Sequence, residues 1–91
     1  MSALPPEHVV ARALGHPLRA RILRALDGRR ASPNQLSGEL GAPLPILSYH
    51  VRELARAGLI AQTDTRPVRG AVEHYYRATV RVRVVTERLS D

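Results

Sequence analysis

The chain has 91 residues, with 14 Lys plus Arg against 8 Asp plus Glu, which gives a formal net charge of +6. That length supports one domain with a thin core. Phe, Trp and Cys are absent, so the core must be aliphatic, and thiolate metal sites, disulfides and cysteine nucleophiles are excluded. All the basic residues are Arg, the planar, bidentate binder of phosphate, although a GC-rich genome also accounts for the missing Lys. A strongly basic small domain points to nucleic acid as partner. No apolar run is long enough for a membrane span and the first residues do not resemble a signal peptide, so a cytoplasmic protein is expected.

In chain order, Pro5 and Pro6 lead into a short helix that Gly15 stops. Pro17 opens a second helix with Leu18, Ile22 and Leu26 on one face, ending at Gly28. Ser32 and Gln35 form a Ser-x-x-Gln capping box around Pro33, starting a third helix with Leu36 and Leu40 inward and Gly41 as its stop. The fourth helix is predicted over 44–57, with Leu47, Val51 and Leu54 as its buried stripe. At about 100° per residue, Pro45, Tyr49, Arg52 and Arg56 project from its opposite side.

Beyond Gly58 the period changes to that of strands over 59–63 and 72–78, with 64–71, containing Pro67 and Gly70, expected as a long hairpin loop. The expected fold is mainly α with a small β wing: a winged helix-turn-helix of three to four helices followed by a two-stranded antiparallel hairpin. Residues 1–79 form the DNA-binding domain in this reading, and 80–91 a tail that contributes, together with the first helix, to a dimer contact. In that tail Val80, Val82 and Val84 alternate with Arg81 and Arg83, which favours extended structure, although Val82, Val85 and Leu89 also fall at helical spacing. Too little domain remains to cover these valines within one chain, so burial against a second subunit is expected.

Arg52 and Arg56 repel one another across a single turn unless an anion is near, and a row of phosphates supplies one. A solvated surface with Glu53 beside Arg56 is the competing explanation. Arg66 and Arg69 bracket Pro67 in the wing and suit a minor groove or its phosphates, though solvent alone also accommodates them. Tyr75 and Tyr76, adjacent on a strand, face opposite sides, one for the core and one for the underside of the wing or a subunit contact.

The segment Ala13-Leu-Gly-His-Pro-Leu-Arg-Ala-Arg-Ile-Leu-Arg-Ala-Leu26, the pair Ser32 and Pro33, Leu36 with Leu40, and Leu47-Ser-Tyr-His-Val-Arg-Glu-Leu-Ala-Arg-Ala-Gly-Leu-Ile60 resemble the bacterial ArsR-type winged helix-turn-helix regulators. Arg69-Gly-Ala-Val-Glu-His-Tyr-Tyr-Arg-Ala78 is similar to the second wing strand of one branch of that family. The resemblance implies a homodimeric transcriptional regulator whose helix 44–57 enters the major groove of double-stranded DNA; with the wing 64–71 touching backbone or minor groove through its arginines, a repressor is expected. It places Ser48, Tyr49 and Arg52 toward DNA, with Leu44 and Ile46 at the helix entrance. This chain departs from the family in having apolar residues at those two entrance positions and Pro43 where a capping Ser or Thr is usual. Leu44 and Ile46 suit thymine methyl groups, and Ile46 is expected foremost as an apolar plug between the third and fourth helices.

The resembled family includes metal sensors, but His8, His16, His50 and His74 share no helical spacing with one another, so no metal or other cofactor is expected. His50 should pack at the margin of the buried stripe and His16 at the entry to the second helix. Catalysis is not expected: no nucleophile has a base, no Gly-rich loop cradles phosphate and no carboxylates are paired. The alternative to a DNA reader is a winged-helix module for binding another protein, and the sequence does not identify any effector.

Overall fold

The computed structural model describes residues 5–81. Four helices, α1 (Glu7–Ala13), α2 (Pro17–Ala25), α3 (Pro33–Leu40) and α4 (Leu44–Arg56), precede two strands, β1 (Ile60–Val68) and β2 (Ala71–Ala78), which form one antiparallel hairpin. Proline punctuates the starts: Pro17 and Pro33 occupy first-turn positions where a missing N–H costs nothing. The capping box is complete, because Ser32 Oγ accepts from Gln35 N at 3.2 Å and the Gln35 side chain accepts from Ser32 N at 2.9 Å. Gly41 closes α3 in the left-handed region, with φ 67°, a conformation costly for any residue with a Cβ.

The core is a single aliphatic cluster. Ile22 and Leu23 of α2 with Leu26 at its C-cap, Leu36 of α3, and Leu47, Val51 and Leu54 of α4 are buried, and Val10 of α1 with Leu59 and Ile60 close its ends. Fully burying a Leu or Ile side chain is worth about 1.5–3 kcal/mol, so these few contacts carry most of the cohesion. The hairpin is fastened to this core by backbone. Ala31 and Tyr76 exchange hydrogen bonds at 3.0 and 2.9 Å, Ala78 N donates to Leu26 O at 3.1 Å, and Thr79 N donates to Leu59 O at 2.9 Å.

The expected loop of the hairpin needs correction. No long loop spans 64–71: β1 continues through Pro67, which pairs with Val72, and only Arg69 and Gly70 form the turn. Their φ values of 49° and 81° suit a two-residue turn whose twist matches that of the strands. In a two-stranded ribbon every strand is an edge, so Pro67 is tolerated without a ladder N–H. The register shifts between Gln62 and Asp64, leaving Thr63 as the extra residue of a bulge.

Val80, the first valine of the tail, is half-buried against the chain's own core, so part of its surface is covered within one chain. The expectations for Val82, Arg83, Val84, Val85 and Leu89 lie outside the described residues. Tyr75 and Tyr76 do face opposite sides: Tyr76 packs on the core, whereas Tyr75 is buried beneath the Arg30 guanidinium, 4.4 Å from its ring centroid.

Candidate nucleic-acid interface

α4 lies with Leu47, Val51 and Leu54 inward, which leaves three other faces to account for. Toward the wing, Leu44, Ser48 and Arg52 sit at successive steps of four residues and line a cleft of about 270 Å³. Its other walls are Asn34 at the start of α3 and Val72 and His74 of β2. Ser48 is half-buried and Arg52 exposed, and Arg52 has no ion pair among the described residues. Three of the residues expected to meet DNA thus come together opposite the inner face of the wing.

Each step of four residues rotates a side chain by about 40°, so Arg56 no longer points into that cleft. Its Nη1 donates to Glu53 Oε2 at 2.7 Å, and it borders a different groove, against α1. Tyr49 is 49% exposed and turns toward α2, its ring centroid 5.9 Å from the Arg19 guanidinium. Ile46 is 52% exposed, so it is not the plug between α3 and α4, whereas Leu47, one position on, is fully buried in the core. Arg66 and Arg69 are exposed on the wing, Arg69 at its tip, and neither has an ion pair among the described residues.

Two polar clusters were not anticipated from the sequence. Beneath the wing, the Ser32 hydroxyl, while capping α3, also donates to Glu73 Oε1, and Tyr75 OH donates to Glu73 Oε2 at 3.3 Å. Arg30 covers this cluster and pairs with Asp64, whose carboxyl is held below the usual range by hydrogen bonds from Thr63 and Arg30. Arg29 holds Glu39 low in the same way, through a two-pronged ion pair on the surface.

The second cluster joins α2 to α4. Arg19 Nε donates to His50 Nδ1 at 2.9 Å, and the His16 ring, at the cap position of α2, lies 5.1 Å from that of His50. Burial, then the charges of Arg19 and His16, push the His50 pKa below its ordinary value, against the opposing pull of Glu53. A histidine depressed in the folded state stabilises the fold above its unfolded pKa, and that contribution is lost as pH falls through the folded value. The urea midpoint is therefore expected to drop as pH is lowered below the ordinary histidine value of about 6.5. His50→Gln, which keeps an acceptor for Arg19 and cannot take up a proton, should flatten that dependence; an unchanged pH profile would place its origin elsewhere.

A helix pair with an outward face beside a hairpin wing, on a strongly basic chain, defines a winged helix-turn-helix DNA-binding protein. The chain belongs to the helix-turn-helix domain family, whose model matches residues 14–63. Among solved structures it is similar to reduced HlyU from Vibrio cholerae, with 26% identity and a TM-score of 0.70 over 89% of this chain and 81% of that one. The transcriptional regulator HlyU from Vibrio vulnificus gives 27% identity and a TM-score of 0.67 over 89% and 80%. The homodimeric winged helix-turn-helix domain of a possible ArsR-family regulator from Mycobacterium bovis gives 22% identity and 0.67 over 88% and 68%. No curated protein matches the chain significantly. The likeness to ArsR-type winged helix regulators read from the sequence holds. Among the described residues no helix is long and apolar enough to cross a membrane.

Proposed function

We propose that the chain represses transcription by binding, as a homodimer, a short palindromic operator, with α4 in the major groove and the wing on the backbone or minor groove. The observation that carries this reading is the gathering of Leu44, Ser48 and Arg52 on one side of α4, facing the wing. Ser48 and Arg52 supply hydrogen bonds to base edges, and Leu44, 38% exposed, and Ile46 supply apolar surface for thymine methyl groups. Arg66 and Arg69 supply phosphate contacts without sequence information. Tyr49 and Arg56 stand further round α4 and take part at the edge of the contact. Two protomers spaced one DNA turn apart give a readable operator, and the M. bovis domain is described as homodimeric.

The test compares an operator selected from random DNA with unrelated duplex. Arg66→Ala and Arg69→Ala should weaken both by similar factors, whereas Ser48→Ala and Arg52→Ala should cost about 1–3 kcal/mol mainly on the operator. Equal losses on both duplexes for all four variants would remove α4 as the reader. Sedimentation of the free protein as a monomer at tens of micromolar would remove the dimer.

A further inference from the structure

Arg19 is only 7% exposed, and no carboxylate lies within ion-pair distance of it among the described residues. Its acceptors are neutral: His50 Nδ1 at 2.9 Å and the Ala13 carbonyl at 3.4 Å. A buried guanidinium cannot shed its proton, and a buried charge without a counter-charge is costly. Such a group is matched when an anion arrives from outside.

Arg19 borders an open groove of about 410 Å³ between α1, the start of α2 and the end of α4. Arg12 and Arg56 stand beside it, and the one acidic residue in the lining, Glu53, is already bonded to Arg56. Val9, Ala13 and Ala57 supply an apolar floor. The volume lies within the roughly 300–1,000 Å³ of small-molecule sites, and a few charged groups over an apolar floor is their usual lining. Charge alone would suit any anion, whereas the floor adds a preference for one carrying an apolar body.

We propose that this groove binds a small organic carboxylate, its acid group against Arg19 and Arg12 and its apolar body on Val9, Ala13 and Ala57. The same site reaches α4, because Arg19 holds His50 and faces Tyr49. A carboxylate that engages Arg19 competes with those contacts, so carboxylate and DNA alter each other's affinity by the same factor. That coupling rests on α4 being the reader; the carboxylate site does not.

The experiment is an amide and arginine side-chain NMR titration of the full 91-residue chain at fixed ionic strength, with benzoate, benzamide and inorganic phosphate as probes. Benzoate should give saturable shifts centred on Val9, Arg12, Ala13, Arg19 and Ala57, phosphate weaker ones at the arginines, and benzamide none. Arg19→Gln should weaken benzoate by about tenfold or more. Because that change also removes the His50 contact, exposed Arg12→Gln is the second variant; it should weaken benzoate several-fold with the rest of the spectrum unchanged. Absence of saturable shifts, equal binding of benzamide, shifts spread equally to Arg66 and Arg69, or wild-type affinity in both variants would overturn the site. Occupation of the groove by Glu87 or Asp91 of the same chain would register as the first of these. If benzoate binds but leaves affinity for the selected operator unchanged, the coupling fails and the site stands; if the chain binds no DNA, the titration of the free protein still decides the site.

Discussion

Affinity for the operator should fall by about a thousandfold or more between 50 and 200 mM salt, the behaviour of proteins that neutralise six or more phosphates. The structure says which charges are available for this. Arg29, Arg30 and Arg56 are tied to Glu39, Asp64 and Glu53, and so release fewer counterions on meeting DNA. Arg52, Arg66 and Arg69 have no such partner among the described residues and stand on α4 and the wing. Three cations from each of two protomers, Arg52 included because its charge enters the groove between the phosphates while it bonds a base edge, give a slope of log K against log salt of about −5, at roughly −0.9 for each charge neutralised. Removing Arg66 and Arg69 together should bring that slope to about −2 in the dimer. A flat slope would instead favour the protein-binding module, for which the exposed Leu44, Ile46 and Tyr49 would form the contact surface.

What was legible in the sequence and what was not follow from how far each signal reaches. The helices are written in local punctuation: Pro17 and Pro33 at starts, the Ser32 and Gln35 pair, Gly41 at a stop, and the stripe of Leu47, Val51 and Leu54. Local punctuation also misled. Pro67 and Gly70 read as loop residues, yet a two-stranded ribbon accepts Pro at its edge and turns on Arg69 and Gly70 alone.

Ile46 read as a plug because it is apolar, but rotation along the helix turns it outward while Leu47 beside it enters the core. Arg19, Arg21 and Arg24 look alike on paper. Only tertiary structure separates Arg19, buried against His50, from Arg21, which bonds the Leu40 carbonyl at 3.0 Å, and from exposed Arg24. The link from Ser32 to Glu73 spans 41 residues, and no periodicity encodes such a pairing.

That last contact sets the largest expected loss of stability from a single polar side chain. Ser32 is fully buried, and its hydroxyl serves two elements at once: it accepts from Gln35 N to cap α3 and donates to the Glu73 carboxylate of β2. Deleting a Ser cap costs about 1 kcal/mol, and a hydrogen bond to a charged group is worth about 1.5–3 kcal/mol. Ser32→Ala should therefore lose about 3 kcal/mol, a large share of the roughly 5–14 kcal/mol available to a domain of this size. Urea unfolding should show the midpoint falling with the slope unchanged.

The two roles separate in a cycle with Glu73→Gln, which keeps an acceptor and removes the charge. If Ser32 also anchors the wing, the loss from Ser32→Ala should be smaller in the Glu73→Gln background by about 1 kcal/mol, because neutral hydrogen bonds are weaker than charged ones. Additive losses would confine Ser32 to capping α3. The wing would then be held by the backbone bonds of Ala31 and Tyr76 and by the cover of Arg30 over Tyr75. In the coupled case, loosening Ser32 should also weaken operator binding beyond its effect on the folded fraction, since Val72 and His74 beside Glu73 form the wall that faces Arg52.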